Sequence, residues 1–129
     1  MYKDLVFDYA KNQYGTEPEY LWDNSPESAV LRHNNGKWYG LVMKIHKSCL
    51  GIEPEDEEVF ILNVKCEPLI VDFMARSNGF FHGYHMNKEN WLTILLDGTV
   101  DKGSILQFID KSYETVSGIA AKGKEKKHA

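Results

Sequence analysis

The chain has 129 residues, 43% of them hydrophobic and 26% charged, with a formal net charge of -4 and a pI near 5.7. That length suits one domain around one core, no apolar run approaches the roughly 20 residues of a membrane span, and the acidic balance argues against a strongly basic nucleic-acid binder. Met1-Tyr2-Lys3-Asp4 opens no apolar stretch with a cleavage site, so the expected compartment is the cytoplasm, with Cys49 and Cys66 as reduced thiols.

Taken in order, residues 2–14 predict a helix with Leu5, Val6 and Tyr9 at the centre of its apolar face, stopped by Gly15. Residues 16–26 carry two prolines and read as a loop that Tyr20, Leu21 and Trp22 interrupt as a packed piece. Ser28 to His33 predicts a strand, and Asn34-Asn35-Gly36 a tight turn with positive φ at both central residues. Lys37 to His46 predicts a long strand. Strict alternation puts Tyr39, Leu41, Met43 and Ile45 on one face and Trp38, Gly40, Val42, Lys44 and His46 on the other.

The acidic loop from Lys47 to Asp56 is expected to be solvated, and Glu58 to Lys65 to form another strand. Pro68 opens a short helix with Leu69, Ile70, Phe73 and Met74 as its apolar stripe, ended by Gly79. Phe80 to Met86 is expected to be extended, Asn87 to Asn90 a turn, and Trp91 to Leu96 the last strand. Asp101 then caps a helix from Lys102 to Ser117, whose Ile105, Phe108, Ile109, Ser112 and Val116 share a face. Residues 1–118 form the expected domain. Residues 119–129, with Lys122, Lys124, Lys126 and Lys127, read as a basic, disordered tail.

These elements give an α+β fold: a twisted antiparallel sheet with helices packed on one face. The other face is expected to stay open to water, with Lys44, His46, Asn63, Lys65 and Thr93 on it.

One stretch is more specific than these patterns. Tyr84-His85-Met86-Asn87-Lys88, with Trp91, Thr93 and Leu96-Asp97-Gly98, resembles the signature of the MmcQ/YjbR family of small bacterial proteins. Asn63-Val64-Lys65-Cys66-Glu67-Pro68 is similar to that family's strand-into-helix junction. Residues 15–22 and 37–43 are similar to its entry loop and first long strand, and residues 109–114 to its last helix. The resemblance implies a CyaY-like α-β sandwich, as in bacterial frataxins, and a role in binding double-stranded DNA. The first helix offers only Asp4 and Asp8, beside Lys3 and Lys11, so the acidic iron-binding surface of frataxin-like folds is not expected.

Three chemistries compete for the candidate residues. A thiol nucleophile needs a base within reach; no local motif supports Cys49 or Cys66, although the helix after Cys66 would lower its pKa. A metal shared by His82 and His85 is disfavoured, because residues three apart on an extended segment face opposite ways. Trp22, Trp38 and Trp91 are core aromatics or stacking platforms. On the polar turn, Asn87 and Lys88 either contact a phosphate backbone or cap their own turn and meet solvent.

The sequence therefore predicts a monomeric protein that is not an enzyme and uses no cofactor, metal or membrane. Its leading partner is the backbone of double-stranded DNA, held by Lys44, Lys65, Arg76, His85, Asn87 and Lys88 on a hairpin wing and the open sheet face. The alternatives are a protein partner anchored on Trp38 and His46, and a small-molecule or metal site in a pocket near His82 and His85.

Overall fold

The computed structural model describes residues 2–118; the expectation of a basic tail lies outside them. Three helices, α1 (Tyr2–Tyr14), α2 (Pro68–Met74) and α3 (Lys102–Ser117), accompany five strands: β1 (Ala29–Arg32), β2 (Trp38–His46), β3 (Glu58–Lys65), β4 (Phe80–His82) and β5 (Trp91–Leu95). The strands form one sheet in the order β1-β2-β3-β5-β4, and each neighbouring pair is antiparallel. This is the expected α+β architecture.

All three helices bury their apolar sides in one core on one face of the sheet. Val6 and Ala10 of α1, Val71 of α2, and Ile105, Ile109 and Val116 of α3 meet Val42, Leu62, Val64, Leu92 and Ile94 there. The helix ends follow the sequence. Gly15 donates its N–H to the Lys11 carbonyl and closes α1, while the Asp101 carboxylate accepts the Ser104 N–H at 3.0 Å and caps α3. On α2 the stripe is rotated from the expected one. Ile70, Val71 and Met74 face the core, whereas Leu69 and Phe73 are 82% and 71% exposed. A two-turn helix gives too few apolar positions for periodicity to fix its angle.

The second face of the sheet is not the open surface the sequence suggested. Ile45, Val59, Ile61 and Leu95 are buried there in a second, smaller core. Its cover comes from two connections. After β2 the chain makes a 3-10 turn over Lys47–Leu50, and Leu50 and Ile52 fold down onto the strands while Glu53 to Glu58 stay exposed. From the other side, Tyr84 in the β4–β5 connection lies over the same cluster. A face with four aliphatic side chains in register is too apolar to leave wet, and the connections supply the roof.

The β4–β5 connection can descend because of a buried polar trio. Asn63 and Thr93 are register partners and both fully buried. Thr93 donates its hydroxyl to the Asn63 side-chain oxygen and accepts the Tyr84 N–H at 2.9 Å; the Asn63 amide donates to the Tyr84 carbonyl at 3.1 Å. The trio satisfies polar groups that would be costly to bury alone. It also pulls the chain into a turn, so the extended segment ends at His82 rather than Met86. Gly83 is required here, since a Cβ would lie 2.8 Å from the Trp91 Cβ.

Two further departures concern β2. The turn after β1 has a positive φ at Gly36 but not at Asn35; His33 accepts the Gly36 N–H at 2.9 Å instead. The β1–β2 register then slips, with Leu31 opposite Gly40 but Arg32 opposite Trp38. The extra residue is a bulge, and it reverses the alternation at the start of β2. Tyr39 joins Val42 on the helix side, and Trp38 joins Leu41 and Met43 on the other.

Candidate functional site

A cavity of about 320 Å3 opens where β2, the β4–β5 connection and the segment before β1 meet on the second sheet face. Trp22, Trp38, Leu41, Met43, His85 and Met86 line it, with the hydroxyls of Ser25 and Ser28. Local sequence explains each wall. The bulge turns Trp38 toward Leu41 and Met43. The Glu19–Val30 bridge anchors the entry segment beside β1, and Trp22 then lies edge-on to Trp38, with ring centroids 5.9 Å apart and planes at 84°. The polar trio fixes Tyr84, and the next two residues, His85 and Met86, complete the enclosure.

His85 has φ 62°, the only positive φ at a non-glycine among the described residues. Histidine tolerates the left-handed region better than most side chains, but the conformation still costs energy. Its ring meets the Tyr84 ring edge-on at 4.3 Å, and neither ring nitrogen has a hydrogen-bond partner among the described residues. The Cys49 thiol beside Tyr84 raises the tyrosine's pKa, with burial adding to the shift. Ser25 and Ser28 bond to each other at 2.6 Å.

The cations expected on one open face are distributed over several surfaces. Lys44 pairs across the sheet with Phe60, whose ring packs into the helix-side core, so Lys44 and His46 lie on the helix side, not the second face. The Lys44 ammonium sits 3.4 Å from Glu27 and 3.5 Å from Glu58; the Glu27 hydrogen bond leads the upward shift of its pKa. His46 lies 4.0 Å from Glu58. Lys65 is on the second face, as expected, with its ammonium 5.5 Å from the centre of the Trp91 ring. Arg76 is exposed beyond the end of α2.

On the turn, the Asn87 side-chain oxygen accepts the Glu89 N–H at 2.9 Å, and the Lys88 ammonium donates to the Gly83 carbonyl at 3.3 Å. Both side chains thus serve their own loop. Lys88 also lines a second cavity, of about 550 Å3, with His82, Asp72, Glu89 and Pro68. His82 and His85 therefore belong to different cavities. Among the described residues no group of three or more His, Cys, Asp or Glu side chains could hold a metal ion.

Of the sequence candidates, the structure brings Trp38 and His85 together in this cavity and places Lys44, His46, Lys65, Arg76 and Lys88 outside its lining. Trp22 was legible in the sequence as part of a packed piece and as a core aromatic or stacking platform, not as a neighbour of His85. Met43, Met86, Ser25 and Ser28 carried no signal beyond their neighbours, because what joins them is a bulge and a loop descent. Burial pushes the Cys66 thiol up to about 11, outweighing the lowering effect of Lys111, so it is a poor nucleophile at neutral pH and the helix that follows it does not lower its pKa.

Fold and site together define a small α+β domain with two cores and an aromatic cavity on the face away from its helices. The chain belongs to the YjbR family, whose model matches residues 11–115. It is 41% identical over 112 residues to the Bacillus subtilis protein called Uncharacterized protein YyaQ, covering 86% of this chain and 94% of that one. It is 23% identical over 95 residues to Escherichia coli Uncharacterized protein YjbR, covering 73% and 79%. A crystal structure of a Pseudomonas syringae protein, 36% identical, superposes with a TM-score of 0.85 over 89% of this chain and 98% of that one. A Deinococcus radiodurans protein with a DUF419 domain, 22% identical, shares the fold at a TM-score of 0.59 over 79% and 68%. Among the described residues no helix is long and apolar enough to cross a membrane.

Proposed function

We propose that this protein is a non-enzymatic binding protein whose ligand is a small molecule held in the Trp22–Trp38–His85 cavity. The observation that carries the reading is His85: a strained residue, in the motif that signals the family, on the wall of a preformed aromatic cavity. Strained backbone persists where surrounding structure imposes it, and it clusters at binding sites. The cavity volume and its apolar lining with a few polar groups suit a ligand of modest size. Among the described residues no carboxylate or thiol lines it, and the two serine hydroxyls bond to each other, which supports binding rather than catalysis.

The duplex-DNA reading keeps less support. It needs cations on one continuous surface. Lys44 is paired between two glutamates on the helix side, Lys65 lies over Trp91, and Lys88 bonds its own loop. A protein partner anchored on Trp38 would use the same cavity, but His46, its expected companion, lies on the other side of the sheet.

The test is a fragment screen read by protein NMR on isotope-labelled protein. Hits that shift the indole signals of Trp22 and Trp38 and the amides of His85 and Met86 support the reading. Hits that shift only residues around His82 and Asp72, or labelled duplex DNA that binds at low salt and is released by Lys88→Ala, overturn it.

A further inference from the structure

We infer that the ligand is a planar aromatic molecule bearing a hydrogen-bond acceptor, with an aromatic carboxylate as the simplest member of the class. The inference rests on the cavity being a ligand site and adds the chemistry of what fits there. The two indoles set the shape. Because Trp22 and Trp38 meet edge to face, with ring centroids 5.9 Å apart, they form a corner, and a flat ring set into it can stack on one indole while presenting its edge to the other. Both are favoured aromatic geometries. Met43 and Met86 are unbranched and polarisable, and adapt to the outline of a ring system. Leu41, 5% exposed, adds an apolar surface.

The polar groups set the functional end. Each tryptophan indole can only donate, and neither has a hydrogen-bond partner among the described residues. The Ser25–Ser28 pair uses one hydroxyl proton in its own bond and leaves the other to donate. His85 offers an unpaired imidazole, which donates from one nitrogen in its neutral form and from both when charged. Against these donors the lining carries no carboxylate among the described residues. A ligand with a carboxylate or carbonyl meets several partners. An alkylammonium ligand would find two aromatic faces but no counter-charge.

Three probes of one ring system separate the outcomes: naphthoate, naphthalene and naphthylmethylamine, titrated against the protein with Trp22 and Trp38 indole NMR signals as readout. Naphthoate is expected to bind about tenfold more tightly than naphthylmethylamine, as a charge-assisted hydrogen bond would give. His85→Gly suits the left-handed backbone, so the fold survives; it is expected to remove most of naphthoate's advantage over naphthalene, read as the ratio of the two affinities. If naphthalene binds in the cavity but naphthoate gains nothing, or the amine binds best, the ligand class is wrong and the cavity reading stands. If none of the three moves the two indole signals, both fall.

Discussion

At the scale of single residues, His85 carries an energetic cost that the fold around it imposes. The Asn63–Thr93–Tyr84 hydrogen bonds fix the residue before it, and His85 takes φ 62° as a consequence. His85→Gly removes the left-handed strain and is expected to raise stability by about 1 kcal/mol in urea denaturation, while weakening ligand binding. A loss of stability would mean that the imidazole contributes to the fold. The two cysteines give a second check. Cys49 is exposed, while Cys66 is buried with its thiol raised to about 11. Iodoacetamide at pH 7.5 is expected to label Cys49 and leave Cys66 unmodified until the protein unfolds; mass spectrometry reads the difference. Equal labelling would contradict the burial of Cys66.

At the scale of elements, the site depends on irregular features. The helices and strands were legible because their signals are local: Gly15 and Asp101 mark helix ends, and Phe60, Leu62 and Val64 alternate cleanly with Val59, Ile61 and Asn63. The bulge that turns Trp38 to the second face has no such signal, since it arises from the pairing of Arg32 with Trp38 across two strands. The expectation for Lys44 and His46 failed differently. Their position in the alternation with Val42 was right, but Val42, Lys44 and His46 all face the helices. The roof was not legible: Leu50 and Ile52 fall in a loop expected to be solvated, and Tyr84 in a segment expected to be extended. The capping of α3 offers a simple check: Asp101→Ala removes the acceptor for the Ser104 N–H and hydroxyl, and is expected to cost about 1 kcal/mol in thermal or urea denaturation.

At the scale of the whole molecule, the sheet separates two cores of unequal size, and that division explains why function is read from a cavity and not from a broad face. If the second core is a packed interior, Ile61→Ala costs about 2–4 kcal/mol, as large-to-small core changes do. On an open sheet face the same change would cost far less, as would Leu69→Ala on the exposed side of α2, expected within about 0.5 kcal/mol. That face is closed by the connections around it, and the cavity lined by Trp22, Trp38 and His85 is the site proposed for a ligand. A crystal structure of the protein soaked with an aromatic carboxylate tests this most directly. The expected result is ligand density in the cavity, against the corner that the two indoles form, with its carboxylate within hydrogen-bond reach of His85. Density elsewhere on the molecule, with the cavity vacant at saturating ligand, would contradict it.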